Sequence, residues 1–386
     1  MKRTIFDADH DAFRDTIRTF IAKEVTPYYA EWQRDGCVPR KLFNQLGELG
    51  ATGFGIPEEF GGAGDASYKF QAIVAEEANR AAIGLGHYNV SIGVVLPYLL
   101  QLANDEQRRR WLPGVASGDT MLCIGMTEPG TGSDLAGIKT IAKLSEDGSH
   151  YVLNGAKTFI TGAVNSELCL VVARTSELTP ENRRFGLSLL AVPTDSPGFE
   201  YGRKLEKIGM RASDTNELFF TDVIVPVENL LGEQDRGFDY LGQNLPRERL
   251  SIGVGGTAAA AAAIRFASEY VSERKVFGKP VSSFQNTKFV LAECATELEA
   301  AQAMVDRGIE LDDAGELTAV DAAKIKLFCT EMAGRVIDKC LQLHGGYGYM
   351  LEYPIARLYA DTRVSRIYGG TSEVMKTIIA KDMGVR

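Results

Sequence analysis

The segment MTEPGTGSD, Met126 to Asp134, packs two glycines, a proline and a run of hydroxyl and carboxylate side chains into nine residues behind an apolar stretch. A loop of that make-up either turns backbone N–H groups toward a phosphate or a heterocycle or is an ordinary polar loop. In NGAKTFITGA, Asn154 to Ala163, an aromatic and a hydroxyl stand close together at Phe159 and Thr161, and alone this reads as a strand after an NG turn. Glu248, between Arg247 and Arg249 in NLPRERLSIG, reads by itself as a carboxylate pairing with its neighbours on a solvated helix face. Arg274, just before Gly278, reads as a cation at a helix C-terminus. The glycines of GTGSD, Gly130 to Asp134, lack the third glycine and the strand–helix–strand surroundings of a dinucleotide fingerprint. Four histidines and six cysteines show no ligand spacing, so no metal site is expected; the cysteines read as free thiols in a reducing compartment.

These segments hang on three stretches of different period. From Asp9 to about Ser117, apolar residues recur every three or four positions, with breaks at Pro57 and Gly61-Gly62, which predicts helices. Between Thr120 and about Gly232, MLCIGMT, HYVLNGAKTFIT, LCLVVAR, GLSLLAVP and LFFTDVIVP read as short strands without intervening helices, and an antiparallel sheet or barrel is expected. The helical period then returns at 239–273, 285–309, 317–343 and 353–382, enough for a four-helix bundle. The expected class is multidomain α+β, with an α domain at 1–119, a β-barrel domain at 120–232 and a helical bundle at 233–386. A net charge of −9 without a basic run disfavours nucleic acid. The apolar run Ser251 to Ile264 is too short to span a bilayer, and the acidic N-terminus suits neither a signal nor a transit peptide, so a cytoplasmic protein without a membrane span is expected.

TEPGTGSD and FITGA are followed, in order, by ERKVFGKPVSSFQ (Glu273 to Gln285), LHGGYGYMLEYP (Leu343 to Pro354) and RIYGGTSEVMK (Arg366 to Lys376). Together the five resemble the acyl-CoA dehydrogenase family over essentially the whole chain. The resemblance implies an FAD enzyme that forms a trans double bond between Cα and Cβ of an acyl-CoA thioester and passes electrons to an electron-transfer flavoprotein, in a homotetramer. It implies that Met126, Thr127, Gly132, Ser133, Phe159, Ile160 and Thr161 border the flavin from the sheet side. It assigns Arg274, Phe277 and Gln285 to a flavin held mainly by the neighbouring subunit, and completes the cofactor site with Gln342, Gly345, Gly346, Thr371 and Glu373. Ser133, Arg249, Tyr368 and Gly369 are the expected substrate contacts. A flavin oxidase or monooxygenase on the same scaffold, and a non-catalytic subunit of a mixed assembly, are the rival readings.

One departure bears on mechanism. Most family members carry the base as Glu in a Tyr-Glu-Gly-Thr sequence, whereas this chain reads Tyr368-Gly369-Gly370-Thr371. Long-chain and isovaleryl members instead supply it from a helix with an ERL sequence, here Glu248-Arg249-Leu250, and the GG pair with Pro246 resembles the long-chain type more closely. The resemblance therefore makes Glu248 the expected base and leaves Gly369 to donate its backbone N–H to the thioester carbonyl. Pro246 is expected to kink the helix and aim Glu248 inward.

Overall fold

A computed structural model describes residues 2–64, 67–179 and 183–385. Six helices come first: α1 (Ala8–Phe20), α2 (Tyr29–Asp35), α3 (Lys41–Glu48), α4 (Tyr68–Arg80), α5 (Leu96–Leu102) and α6 (Asp105–Ser117). Local chemistry sets their ends. Asp7 and Asn104 close capping boxes on α1 and α6, and Gly36 and Gly118 end α2 and α6 in the left-handed region. Eight strands follow: β1 (Leu122–Gly125), β2 (Ile141–Leu144), β3 (His150–Thr161), β4 (Leu168–Arg174), β5 (Leu187–Pro193), β6 (Phe199–Lys204), β7 (Thr215–Pro226) and β8 (Leu230–Leu231).

The strands form one sheet in the order β6-β7-β3-β2-β4-β5-β8, with β1 added beside β4. This corrects the expected antiparallel barrel in two respects. The path is open, since β6 and β8 end it without pairing to each other among the described residues, and β1 and β2 lie parallel to β4. Strand spacing predicts strands but not which edges meet. One face of β4 and β5 (Leu168, Leu170, Leu187, Leu189) joins the core of the first six helices, and the other face closes over Cys123, Tyr151, Leu153 and Phe220.

The last region holds α7 (Gly237–Glu273), a hairpin of β9 (Lys275–Val276) and β10 (Lys279–Pro280), α8 (Gln285–Asp313), α9 (Ala319–Leu343), α10 (Pro354–Thr362) and α11 (Ser372–Asp382). Three long helices lie where the sequence predicts them. The fourth, expected unbroken over 353–382, is two helices separated by a 3-10 segment at Arg363–Arg366 and a turn through Gly369-Gly370. Gly369 (φ +62°) and Gly370 (φ +94°) occupy backbone conformations unfavourable to other residues, and Thr371 then caps α11 through Val374 N–H. Two glycines in the left-handed region thus build the turn that carries the departure noted above.

α7 is long and apolar enough, by composition alone, to cross a membrane, yet 72% of its most apolar stretch is buried inside the protein. Its small residues face α9 closely: a Cβ on Gly256 would stand 3.2 Å from the Cys329 carbonyl oxygen, and one on Gly253 2.7 Å from Ile325 Cγ2. α4 packs on the same bundle through Tyr68 and Ala72, so it serves both the first helical region and the last.

Candidate active site

Glu248 lies on α7 two residues after Pro246, through which the helix continues without interruption. Its Oε2 is buried without a hydrogen-bond partner among the described residues. A buried carboxylate oxygen left unpaired is costly and calls for a functional account. The flanking arginines do not supply a partner: Arg247 pairs with Asp312 at 3.1 Å, and buried Arg249 donates from Nε to the Gly369 carbonyl at 3.2 Å. The pairing on a solvated face that the local sequence suggests is therefore absent among the described residues. Burial holds the Glu248 carboxyl above the ordinary range, against the opposing pull of Arg249 and Lys326.

Glu248 occupies the neighbourhood of the missing side chain. A Cβ built on Gly369 would stand 3.4 Å from Glu248 Oε1, 3.5 Å from Lys326 Cε and 2.5 Å from Ile252 Cδ1. The Gly369 N–H has no hydrogen-bond partner among the described residues, so a backbone donor is available beside the carboxylate. Ile252 and Tyr368, on either side of this point, line a cavity of about 190 Å³ between α4, α7, the 83–89 segment and the 210–213 loop. Its walls are largely apolar, with Val74, Ala78, Ile83, Leu85 and Leu358 among them, which suits an acyl chain.

The loop from Met126 to Asp134 is fixed from behind. Lys157, wholly buried on β3, donates to Glu128 Oε1 at 2.9 Å and to the Met126 carbonyl at 3.1 Å. Glu128 also accepts from the backbone N–H groups of Lys139 (2.7 Å) and Thr140 (2.8 Å). Burial pushes the Lys157 ammonium down to about 8, while Lys157 and the backbone donors hold the Glu128 carboxyl below its usual range against the opposing effect of burial. Thr158 N–H donates to the Thr127 carbonyl at 2.9 Å, which ties this loop to the strand bearing Phe159, Ile160 and Thr161. A register shift between Lys157 and Ile160 turns Phe159 outward at φ +59° and 67% exposure, whereas Ile160 points into the core and Thr161 reaches Thr215. An exposed aromatic held at positive φ is a strained arrangement, retained because both flanks are anchored.

Arg274, Phe277, Gln285, Gln342, Gly345 and Gly346 form a second exposed group at the ends of α7, α8 and α9. Arg274 lies over the Tyr347 ring at 5.7 Å, and Phe277 is 95% exposed at φ +51°. No hydrogen bond, ion pair or ring contact joins this group to the 126–133 loop among the described residues. Cβ atoms at Gly132, Gly345 and Gly346 would meet nothing within 4 Å, so the protein leaves room against its own backbone at both places. Open backbone, an unburied cation and unburied aromatics fit an extended dinucleotide-type cofactor with a pyrophosphate and two ring systems. Ser133 lies exposed on the loop, remote in chain from the Glu248 group. Glu373 is exposed in the first turn of α11, where local N–H and Thr371 bonds hold its carboxyl below the usual range.

Two contributors escape a reading by motif. Lys326 of α9 is 1% exposed and donates to the carbonyls of Ser365 (3.0 Å) and Gly370 (2.7 Å). Its spacing from Ala322, Ala323, Cys329 and Thr330 places it on the buried stripe of the helix, a signal present in the sequence. Lys157 likewise shares the inward parity of Tyr151 and Leu153.

Sequence profiles of three domains match this chain: "Acyl-CoA dehydrogenase, N-terminal domain" at 7–119, the "middle domain" at 123–223 and the "C-terminal domain" at 235–384. The chain is 42% identical over 381 residues to the mitochondrial long-chain specific acyl-CoA dehydrogenase of Sus scrofa, spanning 99% of this chain and 88% of that protein. It is similar to the crystal structure of an acyl-CoA dehydrogenase from Geobacillus kaustophilus, with a TM-score of 0.94, 42% identity, and 99% and 100% of the two chains covered. An acyl-CoA dehydrogenase from Bacillus anthracis complexed with FAD gives a TM-score of 0.90 at 30% identity, covering 98% of this chain and 67% of that one.

Proposed function

This chain belongs to the acyl-CoA dehydrogenase family, and from that premise we propose that it is an FAD-dependent enzyme converting an acyl-CoA thioester to the trans-2-enoyl-CoA with Glu248 as the base. The observation that carries the assignment of the base is Glu248, whose Oε2 has no partner among the described residues and whose Oε1 stands 3.4 Å from the point where a side chain of residue 369 would begin.

The Cα proton of a thioester is weakly acidic, and its removal becomes feasible when fixed donors polarise the carbonyl. Gly369 N–H is such a donor, and the Glu248 carboxylate takes the proton. Bound FAD supplies the acceptor for the hydride leaving Cβ. Burial raises the proton affinity of Glu248, which suits it to act as a base. The largely apolar cavity lined by Ile252 and Tyr368 receives the acyl chain.

On this reading the 126–133 loop and Phe159–Thr161 border the flavin of the same chain. Arg274, Phe277 and Gln285, with Gln342, Gly345 and Gly346, reach the adenosine and pyrophosphate of a neighbouring copy's cofactor. The exposure of Phe277 (95%) and Tyr349 (85%) supports burial against a second copy, and a homotetramer is the proposed assembly. An electron-transfer flavoprotein is the proposed acceptor of the electrons. Its competing reading, an oxidase, predicts oxygen consumption without an added acceptor.

Anaerobic titration of the FAD-loaded protein with acyl-CoAs of graded length tests the function: bleaching of the flavin absorbance is expected with one or more of them. No bleaching with any saturated acyl-CoA would sink the proposal. Replacing Arg274 by Ala is expected to weaken FAD retention about ten- to a hundredfold, for loss of a charge-assisted contact worth about 1.5–3 kcal/mol. Equilibrium dialysis reads the change, and unaltered affinity would confine Arg274 to its place at the end of α7.

A further inference from the structure

The Gly369–Gly370 turn is gripped by two buried cations from different helices. Arg249 holds the Gly369 carbonyl, and Lys326 holds the carbonyls of Ser365 and Gly370. An ammonium buried to 1% exposure with two carbonyl partners among the described residues is an expensive way to fasten a turn, since neutral donors would close the same bonds at less desolvation cost. Its charge must therefore answer something nearby. Lys326 Cε and Glu248 Oε1 both lie within 3.5 Å of one point, the Cβ position of residue 369.

We propose, resting on the assignment of Glu248 as base, that Lys326 is a positioning residue: it fixes the donor turn and places a positive charge against the Glu248 carboxylate from the α9 side. The charged and titratable groups around that carboxylate are few. Arg249 comes from α7, Lys326 from α9, Tyr98 from α5 and Tyr368 from the turn. Arg247 is engaged by Asp312 of α8, and Glu331 of α9 acts on Lys326. Tyr98 is buried with no hydroxyl partner among the described residues, so cations from two helices face a carboxylate whose other titratable neighbours are phenols. Burial and Arg249 push the Lys326 ammonium down to about 8, with Glu248 and Glu331 opposing, so it carries its charge at neutral pH.

Removing that charge makes Glu248 harder to ionise, because an opposite charge within several ångströms favours the charged form. The rate of flavin reduction depends on ionised Glu248 and rises with pH through the carboxyl's titration. In Lys326→Met that rising limb is expected to move to higher pH by about one unit. Lys326→Gln keeps a donor for the carbonyls without the charge and is expected to shift the limb similarly. Lys326→Arg is expected to leave it near the wild-type position. A role confined to holding the turn would lower the rate equally at all pH values and leave the limb in place.

The experiment is single-turnover flavin reduction from pH 5 to 9 on FAD-loaded wild type and the three variants. An infrared difference titration of the Glu248 carboxyl, identified by its loss in Glu248→Gln, gives a readout without turnover. An unmoved carboxyl titration and limb in both neutral variants, or in Lys326→Gln alone if Lys326→Met does not fold, would overturn the proposal while leaving Glu248 as base. A Glu248→Gln protein reducing its flavin at the wild-type rate would instead remove the premise.

Discussion

Glu248→Gln is expected to lower flavin reduction by about 10² to 10⁴ while acyl-CoA and FAD bind nearly as before, because the amide keeps the side chain's shape but cannot accept a proton. Rapid-mixing absorbance under anaerobic conditions separates the two effects. A wild-type rate would shift suspicion to Glu373, which lies exposed at the start of α11. Moving the carboxylate back to position 369 extends the test. A Cβ there meets Ile252 Cδ1 at 2.5 Å, in a backbone conformation that already disfavours side chains. Glu248→Gln with Gly369→Glu is therefore expected to stay near the residual rate, and adding Ile252→Ala to restore part of it. Full activity in the double variant would mean that the turn relaxes far more readily than its grip by Arg249 and Lys326 implies.

Lys157→Met is expected to destabilise the protein by about 3–5 kcal/mol, since it strands the Glu128 carboxylate, 7% exposed, without its counter-ion. Denaturant unfolding measures the loss, and hydrogen exchange should rise in the 126–134 loop that the pair supports. Adding Glu128→Gln removes the stranded charge and is expected to recover part of the stability. A Lys157→Met protein unfolding at the wild-type midpoint would show that the two backbone donors alone satisfy Glu128.

What the sequence discloses follows from how local each signal is. The order of helical, β and helical regions rests on period and is plain in the chain, whereas the proposed move of the base from 369 to 248 is legible only through the family resemblance, since Glu248 by itself reads as a surface carboxylate. The start of the last helix is within reach too, because Gly369-Gly370 precedes a Thr371 cap, whereas nothing local marks the end of α10 at Thr362. The barrel was not: closure depends on which edges meet, and no residue of β6 or β8 announces a missing partner. Lys326 and Ile252 acquire meaning only once α7 and α9 lie in register, a relation between residues far apart in the chain. Phe159 was expected beside the cofactor, yet its outward turn depends on a bulge that strand alternation does not foretell.

The close approach of the α7 glycines to α9 also limits how such a protein can diverge. A methyl added at Gly253 or Gly256 presses on Ile325 or on the Cys329 carbonyl of α9, the helix that carries Lys326, so growth along that seam strains the site's support. The opposite flank is permissive. Gly255 borders the cavity with nothing within 4 Å of its would-be Cβ, and Ala75, Ala78 and Ala82 of the α4 region line the same space. Inherited changes in acyl preference are thus channelled to one wall, where side chains can grow or shrink while the proton-transfer geometry stays as it is.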